Sequence, residues 1–197
     1  MATATPEQTT SQRAEVVLDV IRTRRVVRSF TDEPISDADL RTILEAGRWA
    51  LSAGNRRINK FLVVQDPKRI RLVRAVSPGM LARPTALIVI LTDTEKAARE
   101  QVQLDKDLNT WIDVGTAAQN MSLMAHALGL GSCPATSFSR SGVAAALALP
   151  PTMLPEFILQ LGHPAPQQRV MRPGASTRLP IDALTFWERV GQPLPRR

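Results

Sequence analysis

The stretch Arg24-Arg25-Val26-Val27-Arg28-Ser29-Phe30 places three guanidiniums within five residues, directly before an aromatic side chain. Each guanidinium is a planar fork of donors that matches phosphate oxygens and stays charged at any working pH. Such a cluster at the end of a helix is suited to clamp a phosphate. Further residues follow at intervals: Ser52 and Asn55 in a loop with Gly54, an apolar run ending at Gly131, and a late Arg178.

Side chains for acid–base or nucleophilic chemistry are few. The chain has one cysteine (Cys133), two histidines (His126 and His163) and no tyrosine. It lacks a Gly-x-Ser-x-Gly elbow, a P-loop and a His-Glu-x-x-His motif. Gly129-Leu130-Gly131-Ser132 looks like part of a dinucleotide fingerprint, but it follows a helical pattern and so reads as a helix stop and tight turn. Asp105 and Asp107 point to different helix faces and make no acid/base couple. One cysteine excludes an intramolecular disulfide and a Cys-based zinc site. The two histidines are too far apart to suggest a metal centre. A phosphate clamp with so few catalytic groups points to a cofactor that supplies the chemistry.

The elements that position these residues must come from an ordinary globular chain. At 197 residues, 44% hydrophobic and 22% charged, it is long enough to bury a core. Its apolar runs are far shorter than the roughly 20 residues a membrane helix needs. The polar segment 1–12 has no apolar h-region, so a flexible tail is expected there, with no signal peptide, and 13–197 as a single domain. A cytoplasmic location follows from that and from the single cysteine. Net charge is +7, yet 18 acidic residues are interspersed with 25 basic ones and aromatics are only 4%. Base stacking is poorly supplied, so nucleic acid is not the expected partner.

Apolar periodicity predicts a helix over 15–24, with Val16, Val17, Val20 and Ile21 on one face and charges opposite. A second helix, capped by Ser36, should run to about 50 and bury Leu40, Ile43, Leu44 and Trp49. Strands are expected at 61–64, 86–91 and 157–161, the second buried on both faces. Helices are expected at 68–76, 105–128, 139–147 and 181–189. The broad apolar surface of 105–128 suggests a central helix, stopped by Gly129 and Gly131. Residues 165–176 should be extended. Helices outnumber strands without alternating strictly, which gives α+β.

In their order and spacing, these segments resemble the FMN-dependent nitroreductase family. A first helix there ends in Arg-Arg-Ser-x-Arg-x-Phe, matched at 24–30 with Val26 at the Ser position. The family's Ala-Pro-Ser-x-x-Asn-x-Gln-Pro-Trp-x-Phe is matched at Ala50, Ser52, Asn55 and Phe61. The helix from Asp113 to Gly131, the segment 134–138, Leu161-Gly162-His163-Pro164 and Arg178-Leu179-Pro180 are similar too. The resemblance implies a mixed or antiparallel sheet flanked by helices, with a long central helix, in a domain-swapped homodimer. It implies that Arg24, Arg28 and Arg178 hold the FMN phosphate and that Arg25 lines the ribityl chain or flavin edge. Ser52 and Asn55 would serve the flavin of the other subunit. Pro134, Thr136 and Ser137 would lie along the flavin, with the Thr136 backbone N–H toward N5. NAD(P)H would be the donor, and a small aromatic or conjugated acceptor (nitroaromatic, quinone or enone) would be reduced in a ping-pong cycle.

Three departures stand out. Val26 removes a hydroxyl, Arg57 replaces a neutral amide, and Ile58-Asn59 replaces a Pro-Trp pair. Ser77-Pro78-Gly79-Met80-Leu81 and the segment 133–138 also resemble the branch that contains cyclic dipeptide oxidases. That leaves an oxidase of an organic substrate, or a flavin-free binding protein, as alternatives to the reductase.

Overall fold

The apolar run that begins at Ala86 forms the middle of a four-stranded antiparallel sheet. The computed structural model describes residues 10–104, 106–166 and 179–195. The elements in order are α1 (Thr10–Thr23), α2 (Asp37–Arg48), β1 (Asn59–Val64), α3 (Pro67–Ala75), β2 (Ala86–Asp93), α4 (Thr94–Arg99), α5 (Asn109–Ala127), β3 (Gly131–Ala135), α6 (Arg140–Leu147) and β4 (Met153–Gly162). Strand order is β1-β2-β4-β3, and every pairing is antiparallel. β2 has a strand on each side and is buried along its whole length.

Successive β2 side chains point to opposite faces. Leu87, Val89 and Leu91 pack with Ile70 and Val73 of α3 and with Val143 and Leu147 of α6. Ala86 and Ile88 pack with Leu40 and Ile43 of α2 and with Met121 and Ala125 of α5. Ile90 meets Val114, Ala117 and Ala118 of α5. Helices therefore cover both faces, the α+β layout expected from the pattern.

Local signals set the helix ends. Ser36 Oγ accepts from Asp39 N at 3.1 Å, Asp66 from Lys68 N at 2.9 Å, and Ser139 Oγ from Gly142 N at 3.1 Å. Each cap of this kind stabilises a helix by about 0.5–2 kcal/mol. α5 stops where Gly129 takes φ +76° and Leu130 N reaches Ala125 O at 2.8 Å. That left-handed residue costs glycine little.

Several expectations are corrected. α1 begins at Thr10 and has no buried residue: Val16, Val17 and Ile21 are about half exposed, with no element among the described residues covering that stripe. Trp49 is 71% exposed, its indole N–H donating to Glu45 instead of entering the core. α5 begins at Asn109, and its first turn leaves Trp111 and Ile112 outside. β3 and α4 were not anticipated. β3 contains Pro134, which is tolerated because the strand lies at an edge of the sheet.

The chain divides into two compact units, 1–166 and 167–197. All the elements above belong to the first. In the second, a single 3-10 turn, Ile181–Ala183, stands where a helix over 181–189 was expected. Among the described residues no helix is long and apolar enough to cross a membrane.

Candidate active site

The arginine segment runs beside the edge strand β3. At the end of α1, the Thr23 hydroxyl lies 2.9 Å from His126 Nε2 on α5, which ties the segment to the helix that leads into β3. Val26 then forms a parallel bridge with Ser132, and Val27 N donates to Ser132 O at 2.9 Å. The approach requires Gly131, where a Cβ would fall 2.6 Å from Val27 Cγ1. Further on, Phe30 bridges to Pro164, and Thr31 N donates to His163 O at 2.9 Å.

This pairing sets the three arginines at the head of β3. Arg28 is near enough to Cys133 for its charge to draw the thiol pKa down. Burial is the larger effect and pushes that pKa up. Arg24 is half-buried and Arg28 exposed. Neither pairs with a carboxylate among the described residues. Arg25 turns back instead, donating to Arg22 O at 2.6 Å and Arg24 O at 2.9 Å.

At the other end of β3 the ladder closes with Ala135 opposite Ile158, so Thr136 is the first residue beyond it. Pro134, Thr136 and Ser137 are exposed. Thr136 is four positions beyond Ser132, about 13 Å of extended chain at ~3.3 Å per residue. The turn is held by Gly79 N, which donates to Ser137 O at 2.9 Å, and by Ser139 N, which donates to Val76 O at 2.9 Å. The structure thus joins Arg24 and Arg28 to Pro134, Thr136 and Ser137 through one strand. Arg178 lies outside the described residues.

Ser52 and Asn55 occupy a different loop, fixed to α5. Ser52 Oγ donates to Asp113 Oδ2 at 3.1 Å and accepts from Arg57 N at 2.9 Å. Ala53 N also donates to Asp113, at 3.0 Å to Oδ1. Asn55 Oδ1 accepts from Arg57 Nε at 2.8 Å. Gly54, Asn55 and Arg57 all have φ between 50° and 59°, a left-handed region that costs a residue with a side chain free energy. The buried Asp113 carboxylate is the anchor that holds this conformation. Arg57, marked in the sequence as a departure, serves its own loop, and its carbonyl accepts from Lys96 Nζ at 3.1 Å.

Sequence reasoning missed two features here. One is Asp113 itself, whose signal is that it is the one carboxylate of α5. The other is a cluster beside Thr136. A cavity of about 210 Å³ is lined there by Thr136, Phe138, Trp111, Arg140, Glu156 and Phe157, among others. Arg140 lies 4.9 Å from the Trp111 ring centroid and pairs with Glu156 at 2.5 Å. Burial pushes the Glu156 carboxyl above its ordinary range, while Arg140 pulls it back. Arg140, Trp111 and Glu156 lie far apart in sequence, so no spacing reveals the group.

The model of the Nitroreductase family matches residues 21–82 and 74–163, from the arginine segment through the end of β4. The chain belongs to the nitroreductase family. Among curated proteins it is similar to a "Putative NADH dehydrogenase/NAD(P)H nitroreductase" of Archaeoglobus fulgidus, 31% identical, with 76% of this chain and 86% of that one covered. An "FMN reductase (NADPH)" of Bacillus subtilis is 28% identical, with 85% and 71% covered. Among solved structures, a "putative nitroreductase in complex with fmn" from Desulfovibrio desulfuricans is 34% identical, covers 88% of this chain and 96% of its own, and superposes with a TM-score of 0.72. The nitroreductase match contains every candidate residue except Arg178.

Proposed function

We propose that this chain is an FMN-dependent oxidoreductase that takes hydride from NAD(P)H and passes it to an electron-poor acceptor (nitroaromatic, quinone or enone) in a ping-pong cycle. The observation that favours it most is the pairing of Val26 with Ser132, which puts uncompensated guanidiniums at one end of β3 and an exposed polar turn at the other. An elongated phosphorylated ligand fits that layout. Arg24 and Arg28, with Arg178, would hold the phosphate, and Arg25 the ribityl chain or flavin edge. Pro134, Thr136 and Ser137 would lie along the ring. FMN, when bound, supplies reversible two-electron chemistry that this chain's own side chains lack.

The chain's part is binding and orientation. Charge-assisted bonds from Arg24 and Arg28 fix the phosphate end. The Thr136 N–H, beyond the last rung of β3, is a fixed donor for the ring. Solvent entering beside the turn delivers protons, which suits a site with few acids.

A homodimer belongs to the same reading. Val16, Val17, Leu18 and Ile21 of α1 and Trp111 and Ile112 of α5 are exposed apolar surface of the kind that a partner covers. Ser52 and Asn55 would serve the other subunit's flavin. A cytoplasmic setting supplies the nicotinamide donor.

Steady-state kinetics of FMN-loaded protein test the cycle. Varying NADPH at several fixed quinone concentrations should give parallel double-reciprocal lines. Intersecting lines would reject the ping-pong order.

A further inference from the structure

Away from β3, the chain holds a second basic cavity of about 540 Å³, within the roughly 300–1,000 Å³ of ordinary ligand pockets. Arg71 and Arg74, one turn apart on α3, line it together with Arg83 from the segment before β2. Asp32 is the one carboxylate in the lining, so three guanidiniums leave a net charge of +2. None of the three is engaged in an ion pair or hydrogen bond among the described residues. Arg48, Arg56, Arg69 and Arg140 do have partners: Glu45, Asp107, Asp66 and Glu156. Three like charges converging on one cavity repel one another, a cost that a bound anion removes.

Pro34, Pro67 and Pro84, each with its own φ restricted, are part of the lining. Gln65, also in the lining, is tied by its side-chain amide to Ile35 O at 3.2 Å. Thr85 lines the cavity as well, and its buried hydroxyl has no hydrogen-bond partner among the described residues. The cavity sits by the end of β1 and the start of β2, and Asp32 and Pro34 of its lining follow the arginine segment in the chain.

We infer that Arg71, Arg74 and Arg83 form a second anion site that takes a phosphate group, distinct from the site along β3. A phosphate carries about −1.5 to −2 near neutral pH, which matches the charge of the lining. The group could be free inorganic phosphate or the phosphate of a small organic ester, and the volume leaves room for the latter.

The test is a calorimetric titration of the FMN-loaded protein with inorganic phosphate and, separately, with phenyl phosphate. Saturable binding is expected, weakened about tenfold or more in Arg71→Gln/Arg74→Gln and in the exposed Arg83→Gln variant, the usual worth of one charge-assisted hydrogen bond. Flavin content should stay unchanged in both variants. Tighter binding of phenyl phosphate would identify an ester as the ligand class, and equal or tighter binding of inorganic phosphate would identify the free anion. The same titrations on flavin-free Arg28→Ala protein count any phosphate held along β3 separately, so failure of the flavin reading leaves this result intact. No binding of either probe, or binding that all three arginine substitutions leave unchanged, would overturn the inference.

Discussion

Val26 pairs with Ser132 in a parallel bridge, although 106 positions separate them in the sequence. Through this one contact the arginines that follow α1 become neighbours of the strand that leads to Thr136. The main-chain bond recorded in this bridge comes from the next residue, Val27 N donating to Ser132 O at 2.9 Å.

Arg28→Ala should weaken FMN binding by about 1.5–3 kcal/mol, the usual worth of a hydrogen bond to a charged group. Fluorescence titration of the apoprotein reads this directly. Because Arg28 also draws the Cys133 thiol down, its loss should slow alkylation of that cysteine by iodoacetamide in the flavin-free protein. Wild-type flavin affinity in the variant would remove Arg28 from the phosphate site.

Gly131→Ala should push Val27 away from β3, since the new methyl would lie 2.6 Å from Val27 Cγ1. Overpacking of this kind costs about 1–3 kcal/mol. Flavin retention should drop along with stability, and Val27→Gly placed on top, which removes the Cβ at 2.7 Å as well as both methyls, should restore part of each. A double variant no better than Gly131→Ala would show that the clash is not what positions the arginines.

How far the sequence spoke for itself differs from one part of the chain to another. β2 was legible because an unbroken apolar run needs cover on both faces, and α2 because Ser36 announces its start. α1 was legible as a helix with one apolar face, but periodicity says nothing about what covers that face. β3 was hidden because Gly131, Pro134 and Ala135 have weak strand propensity, and the strand exists through its partners on β4. The arginine cluster was visible as chemistry, but its place beside β3 was not, since a single long-range bridge leaves no periodic trace. Ser52 stood out in the sequence, whereas the Asp113 that holds it did not.

Asp113→Ala should loosen the 52–57 loop by removing the acceptor of Ser52 Oγ and Ala53 N. The cost should be about 1–3 kcal/mol, the penalty for buried groups left unpaired. Urea unfolding measures it, and faster amide exchange at residues 53–57 should accompany it. An unchanged urea midpoint would mean that the left-handed turns at Asn55 and Arg57 hold without the carboxylate.

Glu156 predicts a pH dependence. Burial raises its carboxyl pKa in the folded chain, with Arg140 opposing. The folded state then binds this proton more tightly than the unfolded state. Its contribution to stability therefore falls as pH rises from the unfolded value, near 4.3, through the raised folded value. Glu156→Gln should flatten that part of the stability curve. Urea midpoints measured at stepped pH check this, and identical slopes in both proteins would contradict it.

The central claim is that this chain binds FMN and that NAD(P)H reduces it. An anaerobic absorption spectrum of the purified protein, taken before and after adding NADPH and then NADH, tests it most directly. The account predicts flavin bands that bleach on addition of at least one nucleotide. Protein that takes up no FMN on reconstitution, or whose flavin stays oxidised with both donors, would contradict it.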